Sequence, residues 1–206
     1  MSRIPTPATI EAAPTAAQAS LTAAKAKIGI VPNLHRLIAN SPAALQAYLG
    51  FGEPLGHGAL DARTRERIAL TVNRRHSHDR HLDARTRERI ALAVAEANGC
   101  GYCLAAHSYI GKNMAKLDEV EIAANRHGRS TDAKADAAVR FAAQIVAARG
   151  HVAAADVQAV KDAGYTDGQI VEIVTHVALN TLTNYVNEVF QTEIDFPLAA
   201  PLAHAA

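Results

Sequence analysis

The chain has only two cysteines, three apart, in Cys100–Gly101–Tyr102–Cys103. That spacing lets one sulfur close a disulfide once the other has been oxidised. His107 follows Cys103 by four residues, so on a helix the two share a face. Asn98–Gly99 is a helix-stop signal, and a new helix is expected to begin near Cys100 and to carry Cys103, Leu104, His107 and Ser108. A cysteine at a helix N-terminus faces the positive end of the macrodipole and unpaired N–H groups, and both favour the reactive thiolate. A neighbouring imidazole takes the thiol proton or stabilises the thiolate. These residue types therefore describe a dithiol/disulfide couple with an attached base. Two other readings stay open. A Cys-x-x-Cys can be half of a zinc site, although such a site needs four ligands, there is no second Cys-x-x-Cys, and the nearby nitrogen donors are histidines. Two inert cysteines can also pack as small hydrophobes; Gly101 and Tyr102 at a helix start argue against that.

The elements that must position this motif read as helices. Hydrophobic residues make up 49% of the 206, much of that alanine, and aromatics only 4%. Such a composition suits close-packed helices better than sheets. Residues 1 to about 20, interrupted by Pro5, Pro7 and Pro14, read as a flexible arm. Short helices are expected over Leu21 to Ile28, Leu34 to Ala39 and Pro42 to about Leu49, followed by a loop over Gly50 to Gly58. From Thr131 onward the pattern is almost wholly helical: Ala135 to Arg149, Ala153 to Ala163 with Gly164 as its stop, and a long helix to about Phe190. Thr166 and Gln169 form a capping-box pattern at the start of the last one. Ile170, Ile173, Val174, Val177, Ala178 and Leu182 are expected to point inward from it. His176, Asn180 and Asn184 share one of its faces, suited to the cysteine site, to a subunit contact or to hydrogen-bonded core positions. No segment alternates with period two, and Pro197 and Pro201 mark a frayed tail.

Between these helices lies an internal repeat. Leu60–Leu70 and Leu82–Leu92 both read LDARTRERIAL, offset by 22 residues. Two copies are too few for a solenoid, so this is a local tandem duplication. The offset departs from six whole helical turns by only about 40°, so one continuous helix would show both copies on nearly the same face. A break is expected within His76–Ser77–His78–Asp79, with the first copy as an extra or displaced segment. Glu66 and Glu88 are duplicates, but only Glu88 is followed, after eleven intervening residues, by a Cys-x-x-Cys. His76, His78 and His81, with Asp79, invite a metal reading; a solvated loop left by the duplication explains them more simply. Arg63, Arg65, Arg67, Arg74 and Arg75 read as a solvated basic face.

Net charge is +1, which marks no nucleic-acid binder. No run approaches the ~18 apolar residues of a membrane span, and the N-terminus lacks a secretory signal's continuous apolar stretch. The expected location is the cytoplasm, where a lone close cysteine pair is catalytic, redox-sensing or metal-binding more often than structural.

Glu88, Cys100, Cys103 and His107, with ALAVAEANGCGYCLAAHS around them, match a spacing of Glu, eleven residues, Cys-x-x-Cys, three residues, His. In this the chain resembles the alkylhydroperoxidase AhpD-like branch of the carboxymuconolactone decarboxylase superfamily, over residues from about 20 to 197. The resemblance implies an all-α helical bundle, with the duplicated stretch 60–81 as one extra segment between an arm (1–20) and a tail (198–206). It implies that Cys103 attacks a hydroperoxide and becomes a sulfenic acid. Cys100 would resolve that acid as a disulfide, and Glu88 and His107 would form a proton relay. It further implies no prosthetic group, an external dithiol reductant such as a lipoyl group or a thioredoxin-like protein, and a homo-trimer or hexamer. The best-known members place a histidine just before the second cysteine. Tyr102 stands there in this chain, and a phenol with a pKa near 10 is a poorer base, so a shorter relay is expected. Lactone decarboxylation in that superfamily uses other residues. Two further functions fit the residues: a redox sensor or disulfide-exchange protein without peroxide turnover, and a helical oligomer with incidental cysteines.

Overall fold

Asp83 starts the helix on which the rest of the fold is built. In the computed structural model, which describes residues 2–57 and 82–202, its carboxylate accepts the Thr86 N–H at 2.9 Å and the Thr86 hydroxyl at 3.0 Å. The helix so capped runs over Ala84–Ala97. Its stretch Ile90–Ala95 is buried all round, which only an uninterrupted apolar run permits. The small side chains Ala91, Ala93 and Ala95 let neighbours approach closely on every side.

Among the described residues there are nine helices and no strand. They are α1 (Thr15–Ile28), α2 (Asn33–Ile38), α3 (Pro42–His57), α4 (Ala84–Ala97), α5 (Gly101–Asn113), α6 (Glu119–Arg126), α7 (Ala133–Ala147), α8 (Ala154–Asp162) and α9 (Asp167–Phe190). Helix α4 is central and packs against α5, α6, α7 and α9. Asp118, Asp132 and Thr166 cap α6, α7 and α9 with their side chains, Thr166 in the expected capping box with Gln169. The core falls into two main clusters. One joins Ile90, Val94, Phe141, Ile145, Val160 and Ile173. The other joins Leu21, Leu34, Ile38, Leu45, Ala95 and both cysteines, so the motif is built into the packing of α1, α2 and α3.

Three expectations are corrected. Helix α1 begins at Thr15, and residues before it are held in place. The Arg3 N–H donates to the Phe190 carbonyl (2.7 Å), Asn40 Nδ2 to the Pro5 carbonyl (2.7 Å), and Arg36 to the Pro7 carbonyl (3.2 Å). The prolines do prevent a helix, but they leave carbonyls free for these side chains. Second, α3 continues to His57 instead of ending near Leu49. Glycine and proline lower helix propensity, yet tertiary packing of Leu45, Tyr48 and Leu49 on the cysteine cluster anchors the helix from its first turns. Third, Val174, Ala178 and Leu182 of α9 point outward, with Val174 44% and Leu182 43% exposed. Ile170, Ile173 and Val177 are buried as expected, but the rest of the inner face is His176, Asn180, Thr183, Asn184 and Asn187. Periodicity alone assigned that face to the apolar residues. The repeat's first copy, the proposed break at His76–Asp79 and the histidines at 76, 78 and 81 lie outside the described residues.

Glu121 is the most heavily bonded buried charge described. Its carboxylate accepts from Arg89 Nε (2.6 Å), Asn125 Nδ2 (2.9 Å), Ser130 Oγ (2.6 Å) and the Thr131 N–H (2.7 Å), and also from the Thr131 hydroxyl. Burial alone would raise its pKa; the bonds from Ser130, Thr131 and Asn125 outweigh that and hold it down to about 2. Glu121→Gln sets an NH2 against these donors and leaves Arg89 without its counter-charge. The expected cost is about 3–5 kcal/mol of folding stability, read from urea unfolding. Because the folded pKa is depressed, the wild-type contribution is full above the unfolded glutamate pKa and is lost as pH falls toward 2. Stability of the variant should accordingly fall less steeply across that acidic window. A wild-type-like urea midpoint in Glu121→Gln would refute this account.

Candidate functional site

Gly99 makes the turn that aims α5. At φ +66° it occupies the left-handed region that glycine enters without strain, and it closes α4 while the chain reverses. Cys100 is then the N-cap of α5 and its sulfur accepts the Cys103 N–H at 3.4 Å. Cys103 sits in the first turn, as the Asn98–Gly99 signal predicted. Both cysteines are buried and free, approaching each other to 2.9 Å without a disulfide, whose S–S bond would measure about 2.05 Å.

The two thiols are not equivalent. The Cys103 pKa is lowered to about 6. The largest cause is hydrogen bonding from the Cys100 thiol, which outweighs the opposing effect of burial. The charge of His107 and the amides of Asn187 and Asn184 add to the lowering. Cys100 is pushed the other way, first by that same bond to Cys103 and then by burial. Within the pair Cys103 is thus the more acidic thiol and Cys100 the less acidic one.

Helices α4 and α5 bring Glu88 and His107 together, with Nδ1 of His107 2.8 Å from Glu88 Oε2. Burial lowers the His107 pKa, but the Glu88 charge and hydrogen bond and the Cys103 charge overcome it, and the net shift is upward. His107 stands one turn beyond Cys103 on α5. All four residues singled out from the sequence thus occupy one region, and the glutamate beside the histidine is Glu88.

Tyr102 takes no part as a base. Its hydroxyl donates to Asp195 Oδ1 (2.8 Å) and accepts the Leu34 N–H (3.3 Å). Burial first, and then the Asp195 charge, raise its pKa, so the phenol stays protonated. Asp195 Oδ2 also accepts the Asn33 N–H (2.8 Å), and the Phe196 ring meets the Tyr102 ring edge-on at 5.9 Å. The segment following α9 is therefore strapped across the start of α5, with Tyr102 as its anchor.

Sequence reasoning missed several neighbours. Asn187 Nδ2 donates to Cys103 Sγ at 3.2 Å from the far end of α9. Its signal was the i, i+3 spacing from Asn184, which extends the polar face already noted. Asn184 Oδ1 accepts from Asn98 Nδ2 at 2.8 Å. Tyr48, whose pKa burial and the Cys103 charge raise to about 12, packs beside the motif, with its ring 5.4 Å from that of His35. Neither Tyr48 nor Asp195 carries a sequence signal. His176 is buried away from that role, its pKa lowered by burial to about 4. Among the described residues no group of three or more His, Cys, Asp or Glu stands where it could hold a metal. No helix among them is long and apolar enough to cross a membrane.

Comparison with known proteins bears on the fold. The carboxymuconolactone decarboxylase family model matches residues 73–148, a stretch that holds Glu88, Cys100, Cys103 and His107 and begins after the first copy of the repeat. No curated protein matches the sequence. Among solved structures, the fold resembles an alkylhydroperoxidase AhpD core, a peroxidase-related protein from Ralstonia eutropha JMP134. The TM-score is 0.72 at 22% identity, covering 94% of this chain and 92% of that one. A peroxidase-related protein from Silicibacter sp. TM1040 is equally similar, with TM-score 0.72, 22% identity and coverage of 93% and 91%. The debrominase Bmp8, as a Cys-to-Ala variant in complex with 2,3,4-tribromopyrrole, gives TM-score 0.71 at 17% identity, covering 95% and 94%. At such identities these likenesses establish the fold alone. Residues 73–148 thus match that family model over the cysteine helix, and the fold is similar to that of the AhpD-like proteins.

Proposed function

We propose that the protein is a thiol-dependent peroxidase that reduces hydroperoxides through Cys103 and Cys100. The observation that carries this reading is the asymmetry of the pair: Cys103 is lowered to about 6 while Cys100 is pushed up. A thiolate present at neutral pH is the nucleophile that a hydroperoxide needs. Cys103 attacks the terminal oxygen and becomes a sulfenic acid. His107, held by Glu88, supplies the proton to the departing alkoxide. Cys100 then displaces hydroxide from the sulfenic sulfur, and the disulfide so formed is reduced by an external dithiol, a lipoyl group or a thioredoxin-like protein. The cycle needs no prosthetic group and suits a reducing, cytoplasmic compartment. The proposed assembly is a homo-trimer or hexamer, supported by the stripe Val171, Val174, Leu182, Tyr185 and Val189 exposed along α9.

A second reading, a redox sensor or disulfide-exchange protein, is favoured by burial: Cys100 is 0% and Cys103 3% exposed. Thiol titration tests both readings. One equivalent of hydroperoxide should remove both thiols, and dihydrolipoyl donors should then sustain steady consumption. Loss of thiols without turnover would favour the sensor, and no loss would make the cysteines incidental. Sedimentation of the same sample reads the assembly, and a monomer would overturn the trimer or hexamer.

A further inference from the structure

Both cysteines are buried, so anything that reacts with their sulfurs must first be let in. Much of what covers them is packed helix: α1, α2 and α3 meet the pair in one apolar cluster that includes the fully buried Leu21 and Leu45. Residues 192–196 are a different kind of cover. They form no helix or strand, and Glu193, Ile194 and Asp195 are exposed. They pass over the two residues that separate the cysteines. A Cβ placed on Gly101 would lie 3.8 Å from Ile194 Cδ1, and Tyr102 is held by Asp195 and Phe196. The other side of the segment is tied to α2, where Asn33 Nδ2 donates to the Glu193 carbonyl (2.9 Å) and the Asn33 N–H to Asp195 Oδ2. One exposed carboxylate thus bridges α2 and α5. The segment turns away from α9 at Gln191, whose φ of +51° lies in the left-handed region that a side chain disfavours. The next residue, Thr192, donates its N–H to the Asn187 carbonyl (3.1 Å), beside the amide that holds Cys103. Its own hydroxyl is buried without a hydrogen-bond partner. The strained backbone and the unpaired hydroxyl are both costs of the closed position that opening relieves.

We propose that residues 192–196 are a gate over the cysteine pair, hinged at Gln191 and Thr192 and latched by the Asp195 carboxylate. Opening breaks the two Asp195 bonds and the Asn33 bond to Glu193, and it lifts Ile194 and Phe196 off the start of α5. It leaves the helices and both core clusters in place. Segments held by a few exposed hydrogen bonds and little buried apolar surface are the ones that open locally, well before a protein unfolds as a whole. Closed, the gate shields the Cys103 sulfur from bulk solvent and stray thiols. Open, it admits a small oxidant or the arm of a dithiol donor. Tyr102 thereby has a task that needs no proton transfer: its hydroxyl is the post on which the latch closes. The gate serves a peroxidase and a disulfide-exchange protein equally, so it stands independently of the peroxidase reading.

Iodoacetamide alkylation of the pre-reduced full-length protein reads the gate without any peroxide. The pH is held well above the Cys103 pKa, so the thiol is ionised in every variant and only access changes. In the wild type, Cys103 should react well below its rate in the urea-unfolded chain. That rate should barely respond to about 1 M urea, because a local opening exposes little surface. Asp195→Ala removes both latch bonds and should raise the rate about tenfold, with the same shallow urea dependence. Tyr102→Phe removes one of the two and should raise it less. An Asp195→Ala rate equal to the wild-type rate would overturn the proposal. So would a steep urea dependence in either protein, which would mean that the sulfur is reached by global unfolding. A wild-type rate equal to that of the unfolded chain would show that nothing is shut, and needs no variant. None of these outcomes touches the peroxidase reading, which fails instead if protein that alkylates ignores hydroperoxide.

Discussion

Cys103→Ser is expected to bring hydroperoxide consumption down to the buffer background and to leave the single remaining thiol, Cys100, untouched by one equivalent of peroxide. The reason lies in the division of labour within the pair. Cys103 receives the Asn187 amide and the Cys100 hydrogen bond, and the charge of His107 adds to the lowering of its pKa. Cys100 is fully buried, is the less acidic thiol and serves as the cap of α5. Without Cys103 there is no ionised sulfur to attack the O–O bond, and the raised pKa of Cys100 prevents it from substituting. Serine fills nearly the same volume, so the fold should persist. The companion variant Cys100→Ser should behave differently. It still forms one sulfenic acid, which a dimedone-type reagent traps, but it cannot close the disulfide, so turnover with a dithiol donor fails. Cys100→Ser keeps a hydroxyl donor, whereas Cys100→Ala removes the hydrogen bond that is the largest cause of the Cys103 shift, so the first step of the alanine variant should need a higher pH. Should Cys103→Ser still consume peroxide, or should Cys100→Ser alone lose the sulfenic acid, the roles are reversed.

Glu88→Gln should move the pH profile of Cys103 alkylation upward by about one unit, with roughly a tenfold loss of rate at pH values below the new midpoint. The sign follows from the charges. Glu88 and the Cys103 charge are what overcome burial and raise the His107 pKa. With glutamine in place, burial drives His107 toward its neutral form at neutral pH. Cys103 then loses a nearby positive charge, which disfavours its anion and raises its pKa. The amide oxygen of glutamine can still accept from Nδ1, so orientation survives and the effect isolates charge. The peroxide step should suffer more than alkylation, because a neutral imidazole has no proton to give the alkoxide. Glu66→Gln is the matched control, since Glu66 is the same residue in the first copy of the repeat. It should leave both profiles where they are. A shift with Glu66→Gln and none with Glu88→Gln would show that the first copy docks on the cysteines.

The cysteine turn and the position of the histidine beside it were legible in the sequence because they are local. Cys100, Cys103 and His107 lie within eight residues on one helix, and Asn98–Gly99 marks where that helix starts. Helical periodicity and capping rules act over the same short range, so the cysteine turn, the Thr166 cap and the buried run of α4 could all be read from it. The choice between Glu88 and Glu66 was legible for a related reason: only one copy is joined by a short chain to the cysteines. Tertiary structure decided what depends on groups far apart in sequence. Asn187 reaches Cys103 across 84 positions and Asp195 reaches Tyr102 across 93, and no local pattern encodes either contact. The same holds for α9, where hydrophobic spacing assigned Val174 and Leu182 to the core. What α9 faces is the Cys103 sulfur, which accepts a hydrogen bond from an amide that a methyl group could not supply. The two-cysteine motif and the contact between its thiols are local and follow from the sequence, whereas the Asn187 and Asn184 amides that add to the lowering of Cys103 are brought there by the fold.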